Sequence, residues 1–103
     1  MPLASGMGGA VLVTGGSKRI GREISLKLSK AGFSVGIHYN SSGDAASKLS
    51  EEIKEMGGDA CTLHCDLKDV ESARSLIGEM SDSLGPPVGL VNNASLFKLD
   101  RIE

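Results

Sequence analysis

A chain of 103 residues, 40% apolar and 23% charged, has the make-up of one small folded domain, or of part of a larger one, rather than of a disordered tail. Its formal charge of −2 argues against a general nucleic-acid binder, whose basic footprint would dominate the surface. No apolar run reaches the roughly 18 residues of a membrane span, and the opening "MPLASGMGGA" lacks the basic region and long apolar core of a secretory signal.

Residues 1–9 are therefore expected to be a flexible leader outside the fold. Ala10 to Thr14 (AVLVT) is an apolar run that stops at Gly15 and Gly16, which predicts a strand covered on both faces. Ile20, Ile24, Leu28 and Ala31 then fall on one helical stripe, closed by Gly32. Ser34 to His38 (SVGIH) predicts a second strand. "NSSGDAASKLSEEIKEMGG" supplies capping residues, a helical body to Met56 and a Gly-Gly stop. Ala60 to His64 predicts a third strand. Asp69 to about Leu84 predicts a third helix, with Val70, Ala73, Leu76, Ile77 and Met80 along one side. "GPP" turns the chain, and Val88 to Val91 opens a fourth strand that runs into "NNAS".

Strands separated by helices run parallel, and such crossovers are right-handed almost without exception. The order thus predicts an α/β fold: the front half of a doubly wound parallel sheet in spatial order 3-2-1-4. A bare edge on the fourth strand would leave backbone unpaired and one apolar face open. Residues 10–103 are accordingly expected to be the first portion of a longer domain, with a free-standing four-stranded domain as the alternative.

Cys61 and Cys65 flank His64 on what would be one side of a strand, and no second ligand pair accompanies them beyond the distant His38. Buried free thiols beside a core strand are the better reading than a metal site or a disulfide, and they fit a reducing cytoplasm.

The break "TGGSKRIG" joins the first strand to the first helix. A helix start there aims free N–H groups and the positive end of its dipole at the turn, which suits an anion. Gly15 and Gly16 let backbone approach a phosphate, and Gly21 lets the helix pack closely on the strand. A sharp turn alone would need the glycines but not Lys18 and Arg19. Cations at a helix N-terminus oppose the dipole by about 0.3–1 kcal/mol each, a sign that a bound polyanion reverses. A nucleotide half built for NAD places a carboxylate at the end of the second strand, on the ribose hydroxyls. Here that strand ends "HYNSS", and the first acid, Asp44, falls beyond it. The missing carboxylate, with Arg19, His38, Ser41 and Ser42 close by, favours NADP(H) over NAD(H). Ser41 or Ser42 also serves as an ordinary helix cap.

With "TGGSKRIG", "HYNSS", "CDL" and "NNAS" in this order, the chain resembles the short-chain dehydrogenase/reductase family over its length from Ala10 onward, and hence a Rossmann-like fold. Arg19 stands at the middle glycine of the family pattern TGxxxGxG, and Ser95 at the glycine of NNAG. Both departures are shared with the pteridine reductase branch, which "KRIGR", "HYNSS" and "LVNNASLF" also resemble. The resemblance implies that Thr14 to Gly21, Gly15 and Ile20 included, wraps the pyrophosphate, with Ser17, Lys18 and Arg19 on the adenosine phosphates. It implies that His38, Tyr39, Asn40, Ser41 and Ser42 surround the 2′-phosphate, with a weaker grip because Ser41 stands where the branch often has a basic residue. Asp66, flanked by Cys65 and Leu67, matches the acid that bonds the adenine amino group. Asn93, Ala94 and Ser95 match the lining of the nicotinamide ribose, and Asn92 a tie between strands. Ser95 and Phe97 match the substrate side, Phe97 as an aromatic that stacks a pterin ring on the nicotinamide.

The same resemblance implies an NADPH-dependent oxidoreductase acting on a small molecule, a pterin or folate or another carbonyl-type compound, in a cytoplasmic dimer or tetramer built through later helices. The family's proton donor is a Tyr with a Lys four residues on. Tyr39 is the one tyrosine of the chain and is followed at that spacing by Gly43, so these 103 residues hold no catalytic pair. A nucleotide-binding module without chemistry is the alternative. A flavodoxin-like domain is disfavoured, because its phosphate loop needs neither Lys18 and Arg19 nor "NNAS".

Overall fold

A computed structural model describes residues 8–15, 19–41, 43–65 and 70–92. The elements alternate: β1 (Ala10–Thr14), α1 (Arg19–Lys30), β2 (Ser34–Tyr39), α2 (Gly43–Glu55), β3 (Ala60–His64), α3 (Val70–Leu84) and β4 (Pro87–Asn92). The strands form one parallel sheet in the order β3-β2-β1-β4, as the sequence predicts. β2 and β4 each run slightly past their expected ends, because ladder pairing continues to Tyr39↔His64 and Thr14↔Asn92.

Alternation along β1 divides the core. Val11 and Val13 join Val35, Ile37, Ala46, Leu49, Ile53 and Ala60 in a cluster on the face covered by α1 and α2. Ala10 and Leu12 join Leu63, Cys65, Leu76 and Met80 on the face covered by α3. Strands buried on both faces need continuous apolar runs, and β1 is buried at every position. The helices change face where the strand order reverses, between β1 and β4, the point at which doubly wound sheets open a crevice at the strands' carboxyl ends. α3 lies so close on β2 that a Cβ at Gly36 would come within 2.9 Å of the Met80 sulfur.

α1 ends as its sequence asks. Gly32 takes φ 101°, and the Phe33 amide donates back to the Leu28 carbonyl at 3.1 Å, a reversal that other residues reach only with strain. Inside α1, the buried Ser25 hydroxyl donates to the Gly21 carbonyl at 2.8 Å, which satisfies a polar group on the covered face.

Three expectations change. Gly8 and Gly9, expected in the leader, sit against the sheet: Gly8 donates to the Gly32 carbonyl at 3.2 Å and the Gly9 carbonyl accepts from Ser34 at 2.9 Å, while the rest of the expected leader, residues 1–7, lies outside the described residues. Ile20 is exposed rather than part of the buried stripe, since α1 begins where β1 ends and its first turn stands at the rim with no strand behind it. Ala31, at the other end of that stripe, is exposed as well. On α3, Leu76 and Met80 are buried but Ile77 is exposed, turned toward β4 in a shallow groove with Leu12, Pro87, Val88, Gly89 and Leu90. Cys61 is half-buried and Cys65 buried, and neither is in a disulfide; Cys61 packs against the α3-side cluster, and burial pushes its thiol pKa up.

Candidate functional site

Because the strands are parallel and in register, Thr14, Tyr39, His64 and Asn92 end along one rim of the sheet. The rim begins with Gly15, whose φ of 62° lies in the left-handed region that glycine enters at little cost. Thr14 ties the rim across the crevice, its hydroxyl donating to the Val91 carbonyl at 3.2 Å.

Arg19 opens α1 and is exposed. Its φ is 50°, the one positive φ among the described non-glycine residues. An L-residue with a long side chain held there costs about 1–2 kcal/mol, which explains why a glycine is the usual occupant of this place in TGxxxGxG and marks the arginine as a departure that function must offset. The first turn of α1 carries no acidic residue to compensate the charge. Arg19 lines a groove of about 630 Å³ between α1 and α2 together with Arg22, Ala45, Lys48 and the acidic Glu51, Glu52 and Glu55.

Within that groove Arg22 is already engaged. Its two terminal nitrogens donate to the Glu52 carboxylate at 2.6 and 2.8 Å in a fork. The hydrogen bond from Arg22 holds the Glu52 carboxyl below its ordinary range, and the reciprocal bond raises the Arg22 guanidinium. Neither residue was singled out in the sequence, since they lie on different helices 30 positions apart and no local pattern links them. Arg22 is thus tied to α2, while Arg19 stands exposed at the start of α1.

His38 differs most from expectation. The resemblance implies a place at the 2′-phosphate, but the residue is only 3% exposed and both ring nitrogens are bonded to backbone: Gly15 N–H donates to Nδ1 at 2.9 Å and Nε2 lies 2.8 Å from the Cys65 carbonyl oxygen. With both nitrogens turned inward, the ring points at the loops rather than at a ligand outside them. Tyr39 is half-buried and tilts its ring at 46° over that of His64, centroids 5.3 Å apart; Asn40 and Ser41 beyond it are exposed. The structure thus brings Gly15, Arg19, Ile20, Tyr39, Asn40 and Ser41 to the rim and sets His38 beneath it. Ser17, Lys18, Ser42, Asp66, Leu67, Asn93, Ala94, Ser95 and Phe97 lie outside the described residues. Among the described residues, no group of three His, Cys, Asp or Glu side chains converges to hold a metal, and no helix is long and apolar enough to cross a membrane.

Comparison with known proteins follows the same lines. A family profile described as short chain dehydrogenase matches residues 9–103. The 3-oxoacyl-(acyl-carrier-protein) reductase FabG of Staphylococcus aureus strain Mu50 is 36% identical over 89 residues, covering 86% of this chain and 36% of the relative. The FolM alternative dihydrofolate reductase 1 of Brucella canis, solved in complex with NADP, superposes with a TM-score of 0.79 at 45% identity, covering 85% of this chain and 35% of that one. A dehydrogenase/reductase of Sinorhizobium meliloti 1021 superposes at 0.81 with 33% identity over 87% of this chain and 36% of its own. The chain spans about a third of the length of these relatives. A parallel sheet in this strand order, a glycine turn entering α1 and a profile match along nearly the entire sequence make one statement together: the chain belongs to the short-chain dehydrogenase family.

Proposed function

We propose that this chain forms the dinucleotide-binding portion of an NADP(H)-dependent oxidoreductase of the pteridine reductase branch, which reduces a pterin, a folate or another carbonyl-type small molecule. The observation that carries the reading is Arg19, exposed at the start of α1 with φ 50° on a rim that opens with Gly15 at φ 62°. A guanidinium at a helix N-terminus is unfavourable until an anion arrives, and its planar fork then grips phosphate oxygens in pairs. No carboxylate ends β2: Tyr39, Asn40 and Ser41 stand there, so a 2′-phosphate meets no repulsion from that strand. The residues fit the group. The NADP complex of the Brucella relative, at 45% identity, supports the same choice of cofactor.

Bound nicotinamide would supply the hydride. The resemblance to the family supports these roles for the chain's own residues. Gly15, Ser17, Lys18 and Ile20 cradle the pyrophosphate, while Arg19 with Tyr39, Asn40, Ser41 and Ser42 holds the 2′-phosphate. Asp66 and Leu67 take the adenine, Asn93, Ala94 and Ser95 the nicotinamide ribose, and Ser95 with Phe97 the substrate. The proton donor belongs to residues other than these 103. Cys61 and Cys65, neither in a disulfide, support a cytoplasmic setting, and assembly as a dimer or tetramer accompanies the reading.

A turnover assay tests it. The longest natural reading frame that contains this chain should oxidise NADPH with dihydropterins faster than with simple ketones. Turnover of ketones alone would move the substrate to the general carbonyl class, and NADPH binding without turnover of either would make the protein a nucleotide-binding module.

A further inference from the structure

We infer that His38 is a positioning residue: its neutral imidazole, fixed as the Nε2–H tautomer, clamps the Gly15 amide and so sets the shape in which the β1–α1 loop receives a dinucleotide phosphate. The phosphate part of this rests on the function proposed above; the clamp itself does not.

The tautomer follows from the partners. A backbone amide can only donate, so the Gly15 N–H at 2.9 Å requires a lone pair on Nδ1. A backbone carbonyl can only accept, so Cys65 at 2.8 Å requires a hydrogen on Nε2. Turning the ring over would set carbon atoms against both groups. The imidazole is therefore held in one orientation and one protonation pattern, and its burial excludes water as a substitute partner.

The bonds connect one strand with the loops that follow its two neighbours. Gly15 begins the loop after β1, His38 is the penultimate residue of β2, and Cys65 is the first residue after β3. One side chain thus ties the carboxyl ends of three neighbouring strands at the level where the rim opens. An apolar residue would serve the core as well, since its neighbours Val35 and Ile37 are fully buried without polar atoms. The distinctive product of a histidine is directional: it holds the Gly15 N–H toward the sheet, in a residue whose φ of 62° would otherwise be one of many open to glycine.

Two near-isosteres separate the clamp from general packing. In His38→Asn the amide oxygen can occupy the place of Nδ1 and still accept from Gly15. In His38→Gln the amide nitrogen can reach the place of Nε2 and still donate to Cys65, but the acceptor for Gly15 is lost. The measurements are the ring-nitrogen and Gly15 amide signals by NMR, and the NADP⁺ dissociation constant by calorimetry. In the wild-type protein Nδ1 should appear unprotonated and Nε2 protonated, and this needs no variant. Gly15 exchange protection should persist in the Asn variant and vanish in the Gln variant. NADP⁺ affinity should stay near wild type in the first and weaken about fivefold in the second, with similar unfolding midpoints.

The opposite tautomer, or unchanged Gly15 protection in the Gln variant, would overturn the clamp. Equal weakening of NADP⁺ in both variants would reduce His38 to a packing residue and overturn the inference. Failure of the wild-type protein to bind NADP⁺ would instead overturn the proposed function and the phosphate part, while the ring and amide signals still decide the clamp.

Discussion

The β1–β2–β3 side of the sheet and its β4 edge are made of similar residues but finished differently. On the first, Val13, Val35, Ile37, Leu49 and Ile53 are fully buried between strands and the α1–α2 layer. On the second, Val88 and Leu90 are 66% and 60% exposed, and with Ile77 and Leu12 they line an open apolar groove. The polar devices lie with the closed side: the His38 bridge, the Arg22–Glu52 fork and Arg19 at the rim. The difference teaches that the α1–α2 face is closed by this chain's own helices, while the described residues leave the β4 edge open.

Core truncations should show the largest contrast. Leu49→Ala removes a fully buried side chain and should cost about 2–5 kcal/mol in urea unfolding, whereas Leu90→Ala should stay within about 0.5 kcal/mol. Equal losses would mean that β4 is covered in solution and would break the comparison.

Arg19→Gly tests the rim next. Relief of the left-handed backbone should raise or preserve the unfolding midpoint, while NADPH affinity falls about tenfold and NADH affinity little. A matching fall in both would assign Arg19 to the shared pyrophosphate. Asp66→Ala sharpens the contrast: it should weaken NADPH and NADH alike, by about fivefold, because both carry adenine. Unchanged affinities would remove that contact.

Much of this was legible in sequence. The 3.6-residue stripes, the strand lengths and the Gly stops at Gly32 and Gly57 gave every element, since each of these signals is local. Ile20 and Ile77 misled because periodicity reports which side of a helix is apolar and not how far the sheet extends beneath it. The arginine at a glycine position was visible as a motif departure, although its left-handed φ was not. The role of His38 was out of reach for a further reason. Its partners are 23 and 27 residues away and are backbone groups, which leave no trace in side-chain patterns. A polar residue ending an otherwise apolar strand was the one available sign. The Arg22–Glu52 fork depends on how α1 and α2 pack and has no such sign.

The smallest effect expected is that of this fork, whose side chains are 37% and 45% exposed. Arg22 holds the folded-state Glu52 carboxyl below its unfolded value. Its contribution is therefore complete above the unfolded carboxylate range and fades as pH falls through the folded value. Glu52→Gln should lower stability slightly at neutral pH, and the gap from wild type should close as the solution is acidified through the folded-state carboxyl's range. A gap independent of pH would assign the loss to packing.

Fluorescence titration of the wild-type protein with NADPH and NADH, side by side in the same buffer, bears most directly on the rim as a 2′-phosphate site. NADPH should bind at least about tenfold more tightly, corresponding to roughly 1.4 kcal/mol from the extra phosphate. Equal affinities, or a preference for NADH, would contradict it.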